Sequence, residues 1–283
     1  MFRDMRRRYA VIMARLSILG LALVPFLVVR GLPAGPVSAR PVEGLTNCET
    51  VVTGQEATER ARGLGLCLAE VLVRVSGRPA LAADPRVEAL KPQASAALLD
   101  LEYEDRMKAL PLGDEQGTRD RPFFLRPRFR PDAIEGMLAE LGVAPWPADR
   151  PVVGVLVTVQ REERRWLVAP GVAGVTANAQ IEALRAAGDR FGVPLALPAP
   201  GVVSPDGDGV PEPPADFAAR LGADAVLAGH LVWEEAALGW RVTWVMPGRD
   251  VAPWSAVGVS FDDAFRLGVG GVAAALSGNV QAP

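Results

Sequence analysis

Apolar residues recur every three or four positions in two segments of the first half of the chain. In the first segment they are Leu64, Cys67, Leu68, Val71, Leu72 and Val75. This spacing places them on one face of a helix, which Ser76 and Gly77 are predicted to end. A second helix is predicted to begin at Pro131 and to end before Gly142. Its apolar positions are Ile134, Met137, Leu138 and Leu141.

Strand patterns accompany these helices. Residues 47–53 and 98–105 favour strands, and residues 121–130 alternate loosely between basic and apolar side chains. Pro122 and Pro127 interrupt the third of these segments. Because proline cannot donate a hydrogen bond to a neighbouring strand, we predict that this segment lies at the edge of a sheet.

The second half of the chain has a different pattern of apolar residues. Residues 152–159 form a continuous apolar run, typical of a strand buried on both faces. Residues 177–191 read as a helix. Residues 225–233 and 240–246 form a predicted hairpin that carries Trp233 and Trp240. After a further strand, Ser260 is placed to cap the C-terminal helix.

Alternating helices and strands predict an α/β (α+β) fold with two small domains, the second a mixed sheet with packed helices. We place residues 40–147 in an N-terminal α/β domain. Residues 148–283 form a C-terminal α/β domain that contains the Trp-bearing hairpin. The proline-rich segment around Trp146 marks the predicted boundary.

The first 39 residues have the features of a targeting segment. A basic start precedes an apolar run over residues 16–29, shorter than the about 20 residues that span a bilayer. Val37-Ser38-Ala39 offers a cleavage site before Arg40, so residues 1–39 are predicted to be a signal peptide. We therefore expect a periplasmic protein. The alternative is an uncleaved inner-membrane anchor through residues 11–29.

The expected export of the protein determines how its net charge and its two cysteines are interpreted. The whole chain has a net charge of −3, and removal of residues 1–39 takes away six arginines and one aspartate, leaving −8. An acidic exported protein offers no basic field for nucleic acid, so we expect no nucleic-acid partner. In an oxidising compartment Cys48 and Cys67 can form one disulfide. The alternative is a buried free thiol at Cys67.

Two sets of residues are candidates for binding. Arg126 and Arg128 alternate with phenylalanines, and could contact an anionic envelope component such as lipid headgroups or polysaccharide. The alternative is a solvated edge strand protected by charge and proline. Trp233 could belong to an exposed binding face, or could pack against Trp240 across the hairpin.

Catalytic candidates are fewer. Asp206 and Asp208 resemble the start of a calcium loop, but the remaining ligands of an EF-hand are missing, so we predict no metal site and keep the loop as a ligand candidate. His230, the only histidine, reads as a structural residue of a strand. The glycines at 268, 270 and 271 predict close packing of the last helix on the sheet, and no segment predicts a cofactor.

Three stretches carry a resemblance to a known family. They are AEVLVRVSG at residues 69–77, the region from Phe129 to Pro151, and GADAVLAG at residues 222–229. On these stretches the chain resembles the proteobacterial domain-of-unknown-function family numbered 2066, which implies an exported protein and no catalytic or ligand residues. The second half also resembles the amino-terminal domain of TolB and the curli secretion lipoprotein, at the level of fold alone.

Together these patterns predict a non-catalytic binding or assembly protein of the Gram-negative cell envelope. Its partner would be an envelope protein or an anionic envelope component. The alternative function is that of a periplasmic hydrolase whose site would combine Asp206, Asp208 or His230.

Overall fold

The computed structural model describes residues 40–108, 121–171, 175–199 and 214–279. The predicted signal peptide and the Asp206–Asp208 loop lie outside these residues. Within the described ranges, no helix has both the length and the apolar character that a bilayer span requires.

The elements form an α+β fold with a mixed sheet, which confirms the predicted fold class. The helices are α1 (Ala57–Ser76), α2 (Pro85–Leu90), α3 (Pro131–Glu140), α4 (Val175–Phe191), α5 (Pro214–Arg220) and α6 (Phe261–Ser277). The strands are β1 (Arg40–Pro41), β2 (Thr50–Thr53), β3 (Leu98–Asp105), β4 (Pro122–Phe129), β5 (Asp149–Arg150), β6 (Val153–Arg161), β7 (Arg164–Leu167), β8 (Leu195–Ala196), β9 (Ala225–Glu234), β10 (Gly239–Val245) and β11 (Trp254–Val259). Short 3-10 helices cover Pro79–Ala83, Lys91–Gln93 and Glu235–Ala237.

The N-terminal sheet is antiparallel, with the order β2-β4-β3. Strand β4 is therefore central, and the prediction of an edge strand is wrong. Pro122 opens the strand, where a missing donor is tolerated. The carbonyl of Pro127 faces the segment before β2 and accepts a hydrogen bond from the Cys48 N–H at 3.1 Å. The proline nitrogen faces the same side, where the ladder is already irregular beside the isolated Asn47–Arg128 bridge.

The C-terminal sheet has the order β11-β10-β9-β6-β7, and β8 pairs with β6. Strand β6 runs parallel to β9 and β8, whereas the other pairs are antiparallel. Helix α6 packs on β9, β10 and β11, with α4 beside it. Helix α5 covers part of the opposite face, where Phe217 joins Leu156 and Val226 in a smaller apolar cluster.

The main hydrophobic core contains side chains from both halves of the chain. Helix α1 contacts α3 and α4, and the described residues belong to one compact unit. Trp146, in the predicted boundary segment, is 5% exposed, and its backbone N–H donates to the Val75 carbonyl at 2.8 Å. This segment is therefore packed against α1, and the division after residue 147 stays a prediction.

Trp244 lies between the C-terminal sheet and α6. It is fully buried, and its indole N–H donates to the Ala264 carbonyl at 3.1 Å. A Cβ atom at Gly229 would lie 2.2 Å from the ring, and one at Gly268 would lie 2.5 Å from it. The close packing predicted from the glycines of the last helix is confirmed, because only glycine leaves room for this ring.

We expect Gly229→Ala to lower the free energy of unfolding by about 2 kcal/mol, because the added methyl group overpacks a dense core. Urea denaturation followed by tryptophan fluorescence measures the change. Gly136→Ala is the matched control, since a methyl group added to this helical residue would meet no described atom within 4 Å. Equal unfolding midpoints for the two variants would contradict this expectation.

Candidate binding groove

A cavity of about 860 Å³ opens between three parts of the described chain. One wall is the segment of residues 40–49, which we call the strap. The second wall comes from Arg126, Pro127 and Arg128 at the end of β4, with Glu102 of β3. The third comes from residues 188–194, where α4 ends and leads towards β8. We call this cavity the binding groove.

Backbone hydrogen bonds hold the strap along its length. Strand β1 pairs with β5, and the Val42 N–H donates to the Ala148 carbonyl at 3.0 Å. Further along, the Phe129 N–H donates to the Thr46 carbonyl at 3.0 Å. The strap is therefore attached to the segment before β6 at one end and to β4 at the other.

A disulfide between Cys48 and Cys67 fixes the strap to α1. The Cα atoms are 5.6 Å apart, and the chain has no free cysteine. Cys48 is 8% exposed and lines the groove, whereas Cys67 is fully buried in the core. Of the two alternatives for Cys67, the structure has the bonded form.

Arg126 is bound to two carboxylates. Its guanidinium contacts Glu49 and Glu104, each at 2.6 Å, and lies over the ring of Phe124. Hydrogen bonds with Glu49 and Glu104 raise the pKa of Arg126. Glu104 also binds Lys108, and the two cations lower the pKa of the Glu104 carboxyl. The charge of Arg126 is thus already neutralised within the protein.

Arg128 has one carboxylate partner. It forms a salt bridge with Asp100, and this hydrogen bond lowers the pKa of the Asp100 carboxyl. Its side chain is 52% exposed, so the pair is accessible to solvent and weak. Arg128 lines both the binding groove and a second cavity.

Arg74 lies at the base of the groove and is 9% exposed. It donates hydrogen bonds to the carbonyl oxygens of Asn47 and Arg190, and it forms a salt bridge of 2.5 Å with Glu70. Burial lowers the pKa of its guanidinium. The side chain therefore connects the strap to the end of α4.

The remaining ionic side chains of the groove are Arg40, Glu43, Glu102 and Asp189. All four are exposed, and within the described residues none of them has a side-chain hydrogen bond or salt bridge. Sequence reasoning did not identify these three carboxylates as a set, because they lie on separate elements. Two of them interact electrostatically with lining arginines, Glu102 with Arg128 and Asp189 with Arg74.

The second cavity has a volume of about 600 Å³ and lies beside the strap. Its lining is mainly apolar and comes from Leu45, Val75, Leu99, Pro131, Ile134, Pro145, Trp146 and Pro147, with Arg128 and Glu135 among the polar residues. Leu99 is 63% exposed. We call this cavity the apolar pocket. It shares Gly44, Leu45, Asn47 and Arg128 with the binding groove.

Trp233 lies elsewhere, on the C-terminal sheet. Its ring packs edge-on against Trp240 at 5.3 Å, and its indole N–H donates to Glu235 at 2.6 Å. Arg161 lies over the ring at 4.7 Å. Trp233 lines neither the groove nor the apolar pocket, so the structure does not bring it together with Arg126 and Arg128.

His230 contacts Thr158 across the parallel strands β9 and β6, with 2.8 Å between the His Nδ1 and Thr Oγ1 atoms. Because Thr158 is only 8% exposed, we interpret its contact with His230 as structural. Asp206 and Asp208 lie outside the described residues, so the hydrolase arrangement stays a prediction. No group of side chains in the described ranges could hold a metal ion.

Sequence reasoning missed Arg150, which does not line the groove but holds the segment that forms its third wall. The residue is fully buried, and its guanidinium donates to the carbonyl oxygens of Phe191 and Gly192, each at 2.9 Å. It also stacks on Trp146 at 4.1 Å. Burial, followed by the charge of Arg74, lowers the pKa of Arg150 to about 10. It therefore stays charged at neutral pH and holds the turn that ends α4 in place.

A family model described as "Domain of unknown function (DUF8605)" matches residues 39–147. The match includes the strap, both cysteines and strand β4. The chain matches no curated protein and no solved structure. The match agrees with the expectation of a domain of unknown function, but it fits neither the family numbered 2066 nor the TolB resemblance. Residues 39–147 are thus similar to a domain of unknown function, and in this chain they form two of the three walls of the binding groove.

Proposed function

We propose that the protein is a non-catalytic binding protein that assembles with a partner in the Gram-negative cell envelope. The observation that carries this proposal is the convergence of the strap, Arg126, Arg128 and the end of α4 on one cavity of about 860 Å³. Strand pairing and a disulfide fix its walls. A preformed groove binds without the entropic cost of ordering its own walls.

The electrostatics of the groove favour a protein partner over an anionic envelope component. To bind Arg126 or Arg128, a phosphate or carboxylate ligand would have to displace Glu49 and Glu104 from Arg126, or Asp100 from Arg128. Each displacement exchanges one carboxylate contact for another, so the gain in binding free energy is small. Arg126 and Arg128 therefore offer a polyanion little binding free energy.

The placement in the envelope rests on the sequence of residues 1–39, with its basic start, apolar run and cleavage motif. A disulfide is also characteristic of proteins that fold in an oxidising environment.

Site-specific photocrosslinking in intact cells of the source organism tests this proposal. A photoreactive amino acid at Glu102, inside the groove, is expected to give a discrete crosslinked species that mass spectrometry identifies as an envelope protein. The control position is Arg266, an exposed residue of α6 that lines neither cavity. The same species at both positions, or none at Glu102, would refute the assignment of the groove.

A further inference from the structure

We propose that the ion pair of Glu59 and Arg62 closes the free edge of β2, and that without it β2 of one copy would pair with β2 of a second copy of this chain. We call this pair the edge cap. The inference is independent of the proposed function, because neither residue lines the binding groove or the apolar pocket.

Strand β2 lies at one edge of the N-terminal sheet, whose order is β2-β4-β3. Its four residues, Thr50-Val51-Val52-Thr53, are all β-branched and carry no charge. Uncharged strands of this composition are prone to pair with other chains. The opposite edge is different, because β3 carries four acidic side chains, and charge on an edge strand opposes the addition of another strand. Strand β2 has no such protection within its own sequence.

The edge cap occupies main-chain groups that an added strand would use. The Glu59 carboxylate accepts hydrogen bonds from the Thr53 N–H and from the Thr53 hydroxyl, each at 3.0 Å. The Arg62 guanidinium donates to the Val51 carbonyl at 3.1 Å. Val51 and Thr53 are two positions apart, so their main-chain groups point to the same side of the strand. Helix α1 therefore supplies side-chain partners at the edge of a strand that β4 pairs on its other side.

Glu59 and Arg62 also hold each other in place. Arg62 binds both carboxylate oxygens of Glu59, at 2.9 and 2.8 Å, from three positions further along α1. Hydrogen bonds from Arg62 and from the Thr53 N–H lower the pKa of the Glu59 carboxyl to about 2. The carboxyl is therefore ionised at neutral pH and acts as an acceptor. Helix α1 begins four positions after β2 ends, which brings both side chains back to the preceding strand.

Strand β2 of a second copy is the occupant that fits an opened edge. Two copies of β2 related by a two-fold axis would run antiparallel, and no like charges within the strands would face each other. Val51 is 39% exposed in the single chain. Pairing would cover part of this apolar surface, which adds to the free energy gained from the main-chain hydrogen bonds.

Sedimentation velocity of the purified protein, with its disulfide intact, tests this inference. In E59A/R62A the edge is open, so at high protein concentration we expect the weight-average mass to rise at least about twofold above that of the wild type. E88A/K91A is the matched control. It removes a salt bridge of the same spacing between α2 and the 3-10 helix that follows it, away from any sheet edge, and should leave the mass unchanged.

Two further measurements assign the association to the edge of β2. Val51→Lys, added to E59A/R62A, places a charge on the edge strand and should return the mass to the wild-type value. Hydrogen exchange of the Thr53 amide is then compared at a concentration at which E59A/R62A and the wild type have equal mass. It should be at least about tenfold faster in E59A/R62A, because Glu59 no longer accepts this hydrogen bond.

An unchanged mass of E59A/R62A, or an equal rise in E88A/K91A, would overturn the inference. A rise that Val51→Lys does not reverse would also overturn it, since the copies would then associate through another surface. Circular dichroism reports whether each variant is folded. An unfolded E59A/R62A would contradict the inference too, because the pair would then be required for folding and not for closing the edge.

Discussion

Replacement of Arg150 by methionine is expected to lower the free energy of unfolding by about 4 kcal/mol. The guanidinium donates to four main-chain carbonyls, which belong to Arg74, Pro147, Phe191 and Gly192. The N···O distances lie between 2.9 and 3.3 Å. Methionine has a similar length but no donor, so these carbonyls would remain buried without their partner.

The expected loss of stability is large because of the way in which the charge of Arg150 is compensated. Arg150 has no carboxylate partner among the described residues. Its charge faces carbonyl dipoles near the C-terminal ends of α1 and α4, where a cation is favoured. The stack on Trp146 adds a cation–π contribution in a desolvated site. All of these contacts are lost together in the methionine variant.

Urea denaturation of the wild-type protein and two variants provides the measurement. Arg150→Lys keeps the charge but cannot reach all four carbonyls, so its loss should be smaller than that of Arg150→Met. Arg266→Met is the control, because Arg266 is 45% exposed and Asp263 is its one salt-bridge partner among the described residues, and a change within about 1 kcal/mol is expected. If Arg150→Met unfolded at the wild-type urea concentration, the structural role given to Arg150 would be wrong.

Removal of the Cys48–Cys67 disulfide is expected to cost about 3 kcal/mol of stability, because the bond closes a loop of about 20 residues and so restricts the unfolded chain. The double variant C48A/C67A removes it without leaving a buried thiol. We also expect weaker capture of the partner by crosslinking at Glu102, since the strap would lose its covalent attachment to α1.

Unfolding in the presence and absence of a thiol reductant tests this expectation. The midpoint of the wild-type protein should fall with reductant, whereas that of C48A/C67A should be low under both conditions. Mass spectrometry after alkylation reports the thiols that are formed. A wild-type midpoint that does not change once both cysteines are alkylated would show that the bond contributes no stability.

Local patterns were sufficient to predict most elements of the fold. The apolar positions of α1 are buried as their spacing predicts, and strand β3 has the predicted bounds. Ser260 caps α6 through a hydrogen bond from the Asp263 N–H, also as predicted. These features depend on residues that are close in the sequence, so the pattern of a single segment is enough to predict them.

Features that depend on distant contacts could not be predicted in this way. The position of β4 in the sheet is set by pairing with β2 and β3, and the local prolines gave the wrong indication. The groove combines the strap with residues 126–128 and 188–194, and no pattern in any one segment indicates that they meet. Arg150 is buried because of carbonyls at positions 74 and 191, although an arginine is ordinarily exposed.

Arg150 also bears on whether residues 39–147 can be separated from the rest of the chain with their contacts intact. The family match ends at residue 147, but the strand that pairs with β1 and the cation that contacts Arg74 and Trp146 come directly after it. A recombination event that moved residues 39–147 alone into another protein would leave those partners behind. The matched segment is thus smaller than the compact unit to which the described residues belong, and Arg150 supplies contacts to it from beyond its end.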